Sequence, residues 1–318
     1  MIMMRQFASI LLLLCFNHLF SQNDSIKSLV TATNKKNFDI EELVDFAGDN
    51  LDSELSLARF FYLWIGNNII YDYQLLEELE EGVISNEDFW ASQNVYSVYE
   101  NRKGVCAGYA QLFKWFMNKF NIETAVISGH IRDERNHYVE IESDDKFRHA
   151  WNAVKLDQKW ILLDATWGTS GDSSVSDFYF NIKPELAIIT HFPENDKWQL
   201  LERPLSLQDF NNSKFIKPIW FQIGFKNIPE LKQDDEYYYL VYESNPNNNW
   251  SVTLMIGDDN ATYEWISDVT SINQDGFTYL RFKKSGIPEK AYYKLDLKYN
   301  DQENGTSTFI FNVFYFKT

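Results

Sequence analysis

The chain has 318 residues, 45% of them apolar, and carries 29 Lys and Arg against 46 Asp and Glu, a formal net charge of -17 at pH 7. That length reaches the two-domain range, and the apolar fraction can supply sizeable cores. A polyanion of this kind is repelled by nucleic acid and by anionic membrane surfaces, which argues against both as partners.

At the N-terminus, Arg5 is followed by an apolar run from Ala8 to Phe16 and by small Ser21 before Gln22. This reads as a signal peptide over residues 1–21, so the mature product is expected to be secreted or periplasmic, a retained N-terminal anchor being the alternative. No later stretch approaches the roughly 18 apolar residues of a membrane span. Leu14 does not suit lipidation at Cys15. From Asp39 to Asn68 the pattern is helical, with Leu57, Phe60, Phe61, Trp64, Ile65 and Ile69 spaced by three and four, and Asp52 or Ser53 as N-cap. The acidic stretch Leu75–Asp88 is expected as a surface loop or a polar helix. Helix returns over Cys106–Phe120, and strands are expected at Thr124–Gly129, Tyr138–Glu142, His149–Lys155 and Lys159–Asp164. Helices followed by antiparallel strands give an α+β domain over residues 22–212.

Beyond about Phe210 the runs are short, aromatic and β-branched: Ile219–Phe225, Tyr237–Tyr242, Ser251–Ile256, Phe277–Phe282, Tyr292–Leu297 and Thr308–Phe316. Turn-like clusters such as Gln274-Asp275-Gly276 separate them. This pattern predicts an immunoglobulin-like β-sandwich domain over residues 213–318, without a Cys-Trp-Cys signature to specify its topology.

Chemistry concentrates between the helical block and the sandwich. Cys106 and Cys15 are the two cysteines, and removal of the leader would leave Cys106 with no partner for an internal disulfide. The stripe Tyr109, Ala110, Phe113, Phe116, Met117 and Phe120 places Cys106 at a helix start, and Gly104 would allow a sharp turn into it. The helix dipole and unpaired N–H groups there favour a thiolate and can hold an oxyanion. Downstream, His149 opens one expected strand and Asp164 closes the next. A two-residue loop at Asp157-Gln158 pairs Trp151 with Asp164, making His149 and Asp164 diagonal neighbours roughly 7–8 Å apart. A loop at Leu156-Asp157 would set them directly opposite, whereas a one-residue slip would put them on opposite faces. The expected roles are nucleophile for Cys106, acid–base for His149, and orienting carboxylate for Asp164, through a thioester acyl-enzyme.

The segment Gly104–Tyr109, the strand His149-Ala150-Trp151-Asn152 and the strand end Asp164-Ala165-Thr166-Trp167-Gly168 resemble the transglutaminase-like superfamily, in a subgroup similar to kyphoscoliosis peptidase. Tyr62–Asp72 upstream and His191-Phe192-Pro193 with Trp198–Leu201 downstream extend the resemblance over about Asp39 to Phe210. It implies a papain-like cysteine fold with a triad at Cys106, His149 and Asp164. That family includes transglutaminases, peptidases, deamidases and inactive members. The multidomain, calcium-dependent layout of the animal transglutaminases has no evident counterpart, so no cofactor is expected.

A lone cysteine is usually inert core, and Asp164 could merely cap the turn at Thr166-Trp167-Gly168. His130 and His137 could join His149 around a metal, but no zinc-ligand spacing supports this. His191 reads as structural or as a cleft edge. Trp151, Trp160 and Trp167 read as hairpin core, with Trp167 also placed to line a cleft, and Gln93 or Asn94 could supply a further oxyanion donor. Sequons at Asn249, Asn260 and Asn304 matter only in a glycosylating host. Two functions follow: an exported enzyme acting on peptide or glutamine amides of a protein or peptide substrate, hydrolysis ahead of amine transfer, or a silent secreted module that binds through its sandwich.

Overall fold

The computed structural model describes residues 24–133, 140–143, 148–169, 175–245, 249–257, 263–285, 287, 291–301 and 304–317. The expected leader with Cys15, His137, the first part of the Tyr138–Glu142 strand and the Asn260 sequon lie outside them. Among the described residues, no helix is long and apolar enough to cross a membrane. The chain forms two compact units, one drawn from the chain up to Ser128 and from His149 to Pro184, the other from Gly129–Arg148 and Glu185–Thr318.

The first unit begins with helix α1 (24–33), which buries Ile26 and Val30 at i, i+4 spacing. Helix α2 (Ile40–Asn50) starts at a capping box in which Asp39 and Glu42 satisfy each other's backbone N–H. Helix α3 (Glu54–Asn68) starts at Ser53, the second of the two expected caps. Every residue of α3 from Ser56 to Ile65 is buried, Arg59 included, so this helix is covered on all sides and runs through the core of the unit. Strand β1 (Ile70–Tyr71), helices α4 (Tyr73–Glu80), α5 (Asn86–Ser92) and α6 (Val95–Asn101), and strand β2 (Lys103–Gly104) lead to helix α7 (Cys106–Lys119). The acidic Leu75–Asp88 stretch takes the polar-helix form, since α4 buries no residue. Phe61 of α3 stacks on Phe116 of α7 with centroids 4.2 Å apart, and Trp64 stacks on Tyr99 of α6 at 5.3 Å.

Strands β3 (Thr124–Ile131), β4 (Arg148–Leu156), β5 (Lys159–Leu163) and β6 (Phe180–Ile182) lie side by side in the order β6-β5-β4-β3. The short helix α8 (Ala165–Gly168) follows β5 directly. In the expected Tyr138–Glu142 strand, the described residues 140–142 are not in a strand.

In the second unit, Gly129–Ile131 pair with β7 (His191–Pro193) after α9 (Pro184–Ala187). Arg132 is fully buried there and donates to the carbonyls of Ile189, Ser213 and Lys214 and to Ser213 Oγ at 2.9–3.1 Å. Burial lowers its pKa to about 10, which leaves the guanidinium charged near neutrality. Helix α10 (Leu207–Asn212), strand β8 (Phe215–Ile216) and helix α11 (Ile219–Gln222) precede two antiparallel sheets. One has the order β13-β14-β10-β9, from β9 (Glu230–Gln233), β10 (Tyr237–Glu243), β13 (Thr270–Gln274) and β14 (Phe277–Lys283). The other has the order β12-β11-β15-β16-β8, from β11 (Trp250–Gly257), β12 (Glu264–Trp265), β15 (Tyr292–Asp301) and β16 (Thr306–Lys317). Leu240, Leu280 and Phe282 of the first sheet share a core with Leu254, Tyr293, Leu295, Phe314 and Phe316 of the second, a sandwich arrangement.

One expected strand is a helix. Ile219–Phe225 instead forms α11 and a turn, because Pro218 has helical backbone angles and Gly224 turns the chain at φ +106. Trp220 drives the placement: its ring is fully buried, stacks on Phe225 at 3.9 Å, and donates Nε1–H to the Asn227 carbonyl. A short aromatic run looks alike in sequence whether it is a buried strand or a buried helical turn.

Candidate active site

Helix α7 has Val105 as its N-cap, with no side-chain capping bond. Cys106 is thus the first residue of a helix whose opening N–H groups have no competing carboxylate or hydroxyl cap. The turn leading into the helix is braced from behind. Buried Gln93 accepts the Val105 N–H through Oε1 at 2.8 Å and donates through Nε2 to Ser92 Oγ. Gly104 is needed here for space rather than for a left-handed turn, since a Cβ would press on Val98 and Gln93 at 3.3–3.4 Å. At Gly108 the same Cβ would fall 2.6 Å from Gln93 Oε1 and 2.8 Å from Val98 Cγ2. Of the two side chains considered as oxyanion donors, Gln93 thus holds the turn that leads into Cys106. Asn94 is the N-cap of α6, accepting from Tyr96 and Ser97 N–H.

The hairpin of β4 and β5 sets the other two groups. Leu156 pairs with Lys159 and Asn152 with Leu163, so the loop is Asp157-Gln158. Both loop residues are left-handed, at φ +48 and +67, the geometry of a two-residue turn that follows the twist of the strands. Of the registers the sequence allowed, this is the diagonal one, and the side chains close the remaining gap. His149 Nε2 lies 2.7 Å from Asp164 Oδ2, with both residues buried at 6% and 1% exposure. Asp164 orients the imidazole and also caps α8, its Oδ1 accepting from the Thr166 and Trp167 N–H groups at 2.8 and 3.0 Å. The bond to His149 and the helix cap thus fall on different oxygens of the one carboxylate.

Cys106 is partly exposed; its thiol hydrogen-bonds the His149 side chain and accepts from the Ala150 N–H. With Nε2 committed to Asp164, Nδ1 is the imidazole nitrogen left for the sulfur. Burial pushes the Cys106 pKa up, but the charge and hydrogen bond of His149 outweigh it and hold the thiol below its ordinary range. Burial pushes His149 down, and the Asp164 carboxylate together with Cys106 reverses this and holds the imidazole well above its ordinary range. Both shifts favour the charged forms, a thiolate at Cys106 and an imidazolium at His149, beside the Asp164 carboxylate. Trp151 stacks near-parallel on His149 at 6.0 Å, and the partly exposed Trp167 tilts over it at 5.7 Å.

His130 and His191, also named from the sequence, have hydrogen-bond partners of their own. His130 Nε2 lies 3.1 Å from Arg148 Nη1, a cation that does not suit a metal ligand. His191 Nδ1 bonds Thr190 Oγ1 at 2.8 Å. Two buried amides have roles beyond those expected from the sequence: Gln93, expected there only as a candidate oxyanion donor, braces the Val105 turn, and Asn152, expected only as part of the His149 strand motif, donates to two backbone carbonyls. No local pattern marks these roles, because both amides act on backbone distant in the chain.

Residues 44–165 match the family model of the transglutaminase-like superfamily. Kyphoscoliosis peptidase of Mus musculus is 31% identical over 214 residues, 65% of this chain and 30% of the relative. The Homo sapiens protein of the same name is 29% identical over 213 residues, 64% of this chain and 30% of the relative. Lim and transglutaminase domain protein ltd-1 of Caenorhabditis elegans is 24% identical over 217 residues, 62% of this chain and 28% of the relative. The chain thus spans less than a third of the length of these relatives. Residues 44–165 thus carry a domain of the transglutaminase-like superfamily, and the chain is similar to kyphoscoliosis peptidases over 64–65% of its length.

Proposed function

We propose that this chain is an exported cysteine enzyme that cleaves peptide or glutamine amides through a thioester, with water as the preferred acyl acceptor. The observation that carries this reading is the 2.7 Å bond between buried His149 Nε2 and Asp164 Oδ2, with the Cys106 thiol hydrogen-bonded to the same imidazole. The name of the curated relatives, a peptidase, favours water over an amine.

The chemistry follows from the charges. The Cys106 thiolate adds to the amide carbonyl carbon, forming the C–S bond, and the carbonyl oxygen becomes an oxyanion facing the uncapped first turn of α7. As the C–N bond breaks, the imidazolium of His149 delivers its proton to the leaving amine. Water then adds to the thioester and gives a proton back to His149, and the acid leaves as the thiolate re-forms. Asp164 keeps the ring in place and stabilises its charge at each stage.

The test is the pH dependence of Cys106 alkylation by iodoacetamide in the wild type, His149→Ala and Asp164→Ala. Because the thiol pKa is lowered, reactivity should persist below the ordinary thiol value of about 8.5 and fall only as pH drops through the lowered value. Because the His149 pKa is raised, amide turnover should hold into alkaline pH and fall as the imidazolium loses its proton. Both variants should return the thiol towards its ordinary range. A wild-type profile matching a free peptide cysteine, unmoved by His149→Ala, would sink the reading and leave a binding module in its place.

A further inference from the structure

Asn152 lies three residues beyond His149 on β4 and is 1% exposed. Its Nδ2 donates to the Ala110 carbonyl of α7 at 3.0 Å and to the Ala125 carbonyl of β3 at 3.1 Å. Only the amide NH2 can satisfy two carbonyls at once, so the orientation of the side chain is settled by its partners. One side chain therefore ties the strand that carries His149, the helix that carries Cys106 and the neighbouring strand together.

The spacing gives this tie a particular use. The Cys106 sulfur meets β4 at the Ala150 N–H, and Ala110 meets β4 at Asn152. From Cys106 to Ala110 the helix rises by about 6 Å, four residues at about 1.5 Å. From Ala150 to Asn152 the strand advances by about 6.6 Å, two residues at about 3.3 Å. Helix and strand thus keep step, and the two bonds form pegs one helical turn apart. A single peg at the thiol would leave α7 free to swing about it; the second fixes the angle at which the sulfur meets the imidazole.

We infer that Asn152 is a positioning residue, which sets the approach of the Cys106 thiol to His149 by pegging α7 to β4. This rests on the enzymatic reading above, and it adds a residue that touches none of the reacting atoms. Asn152→Ala removes the peg and leaves two carbonyls short of a donor. Asn152→Asp keeps the shape but turns an acceptor on those carbonyls, so its effect should exceed that of alanine.

The experiment is iodoacetamide alkylation of Cys106 from acid to alkaline pH in the full chain, with melting followed for each variant. Tyr99→Phe serves as the control, since it deletes another long-range bond of the same unit, Tyr99 Oη to the Phe38 carbonyl at 2.8 Å. Asn152→Ala should raise the thiol pKa and slow alkylation on the acid side of neutrality by about ten-fold or more, as expected of a small misplacement. Tyr99→Phe should leave the profile in place. A wild-type profile for Asn152→Ala, or an equal shift for Tyr99→Phe, overturns the positioning role alone. A free-cysteine profile in the wild type overturns the enzymatic reading and the positioning role with it. If Asn152→Asp does not fold, Asn152→Ser replaces it; keeping one donor, it should fall between wild type and alanine, and a shift as large as alanine's overturns the inference.

Discussion

Asp164 shows how one side chain can be read for two functions at the scale of a residue. Oδ1 is held by the N–H groups of Thr166 and Trp167, while Oδ2 faces His149 Nε2. Asp164→Asn should therefore separate capping from catalysis. The remaining carbonyl oxygen stays with the two N–H groups, and the new NH2 is turned towards Nε2. The imidazole then loses both the carboxylate that raises its pKa and the acceptor for Nε2–H. Melting should change little, while alkylation on the acid side of neutrality should slow by about ten-fold or more and amide turnover by about 10³–10⁴, the scale of a wrong tautomer. Retained turnover with a wild-type thiol profile would show that Asp164 acts only as a cap.

Among the elements, the hairpin of β4 and β5 decides whether the site can form. The alternation of its strands and its turn were legible in the sequence, but two registers both placed His149 and Asp164 on one face. Left-handed backbone at Asp157 and Gln158 selects the diagonal register. Gln158 bears a side chain at φ +67 where glycine is favoured. Gln158→Gly should thus stabilise the protein by about 0.5–1 kcal/mol, the left-handed strain removed less the entropy glycine adds. Chemical denaturation reads this, and the Cys106 alkylation profile should stay put because the register is unchanged. A lower stability would mean that the Gln158 side chain makes a compensating interaction. The sandwich shows the complementary pattern. The expected strands β10, β11, β14, β15 and β16 are all interior to their sheets, while the strands passed over, β8, β9, β12 and β13, are the edges. Edge strands are short and often polar, as Glu230–Gln233 and Thr270–Gln274 are here, so they carry neither a long apolar run nor a clear alternation.

For the molecule as a whole, the two cores are built by different rules, helix against sheet in one unit and sheet against sheet in the other. Trp220 anchors the second core from a helical turn, with its ring fully buried against Phe225 and Tyr242. Trp220→Ala should cost about 3–5 kcal/mol by leaving a cavity the rigid sheets cannot close, read as a lower denaturation midpoint. A loss under about 1 kcal/mol would mean that the turn relaxes to fill the space, and that the core does not depend on this ring. The chain's charge of -17 enters at this scale too, as a long-range repulsion between like-charged copies rather than a determinant of the fold.

Local chemistry was determined by the sequence itself: a thiol at an apolar helix start, an imidazole and a carboxylate on successive strands, and a C-terminal run of aromatic strands. Periodicity and turn residues encode these because they depend on neighbours only a few positions away. Tertiary structure decided the rest. The register that joins His149 to Asp164, the helical course of Ile219–Gln222, the edge strands, and the amides of Gln93 and Asn152 all depend on partners distant in the chain. Gln93 and Val105 are twelve residues apart, and Asn152 and Ala110 are forty-two. No local pattern records such pairs, because the hydrogen bonds exist only once packing has brought a buried amide against a distant backbone group and excluded water from both.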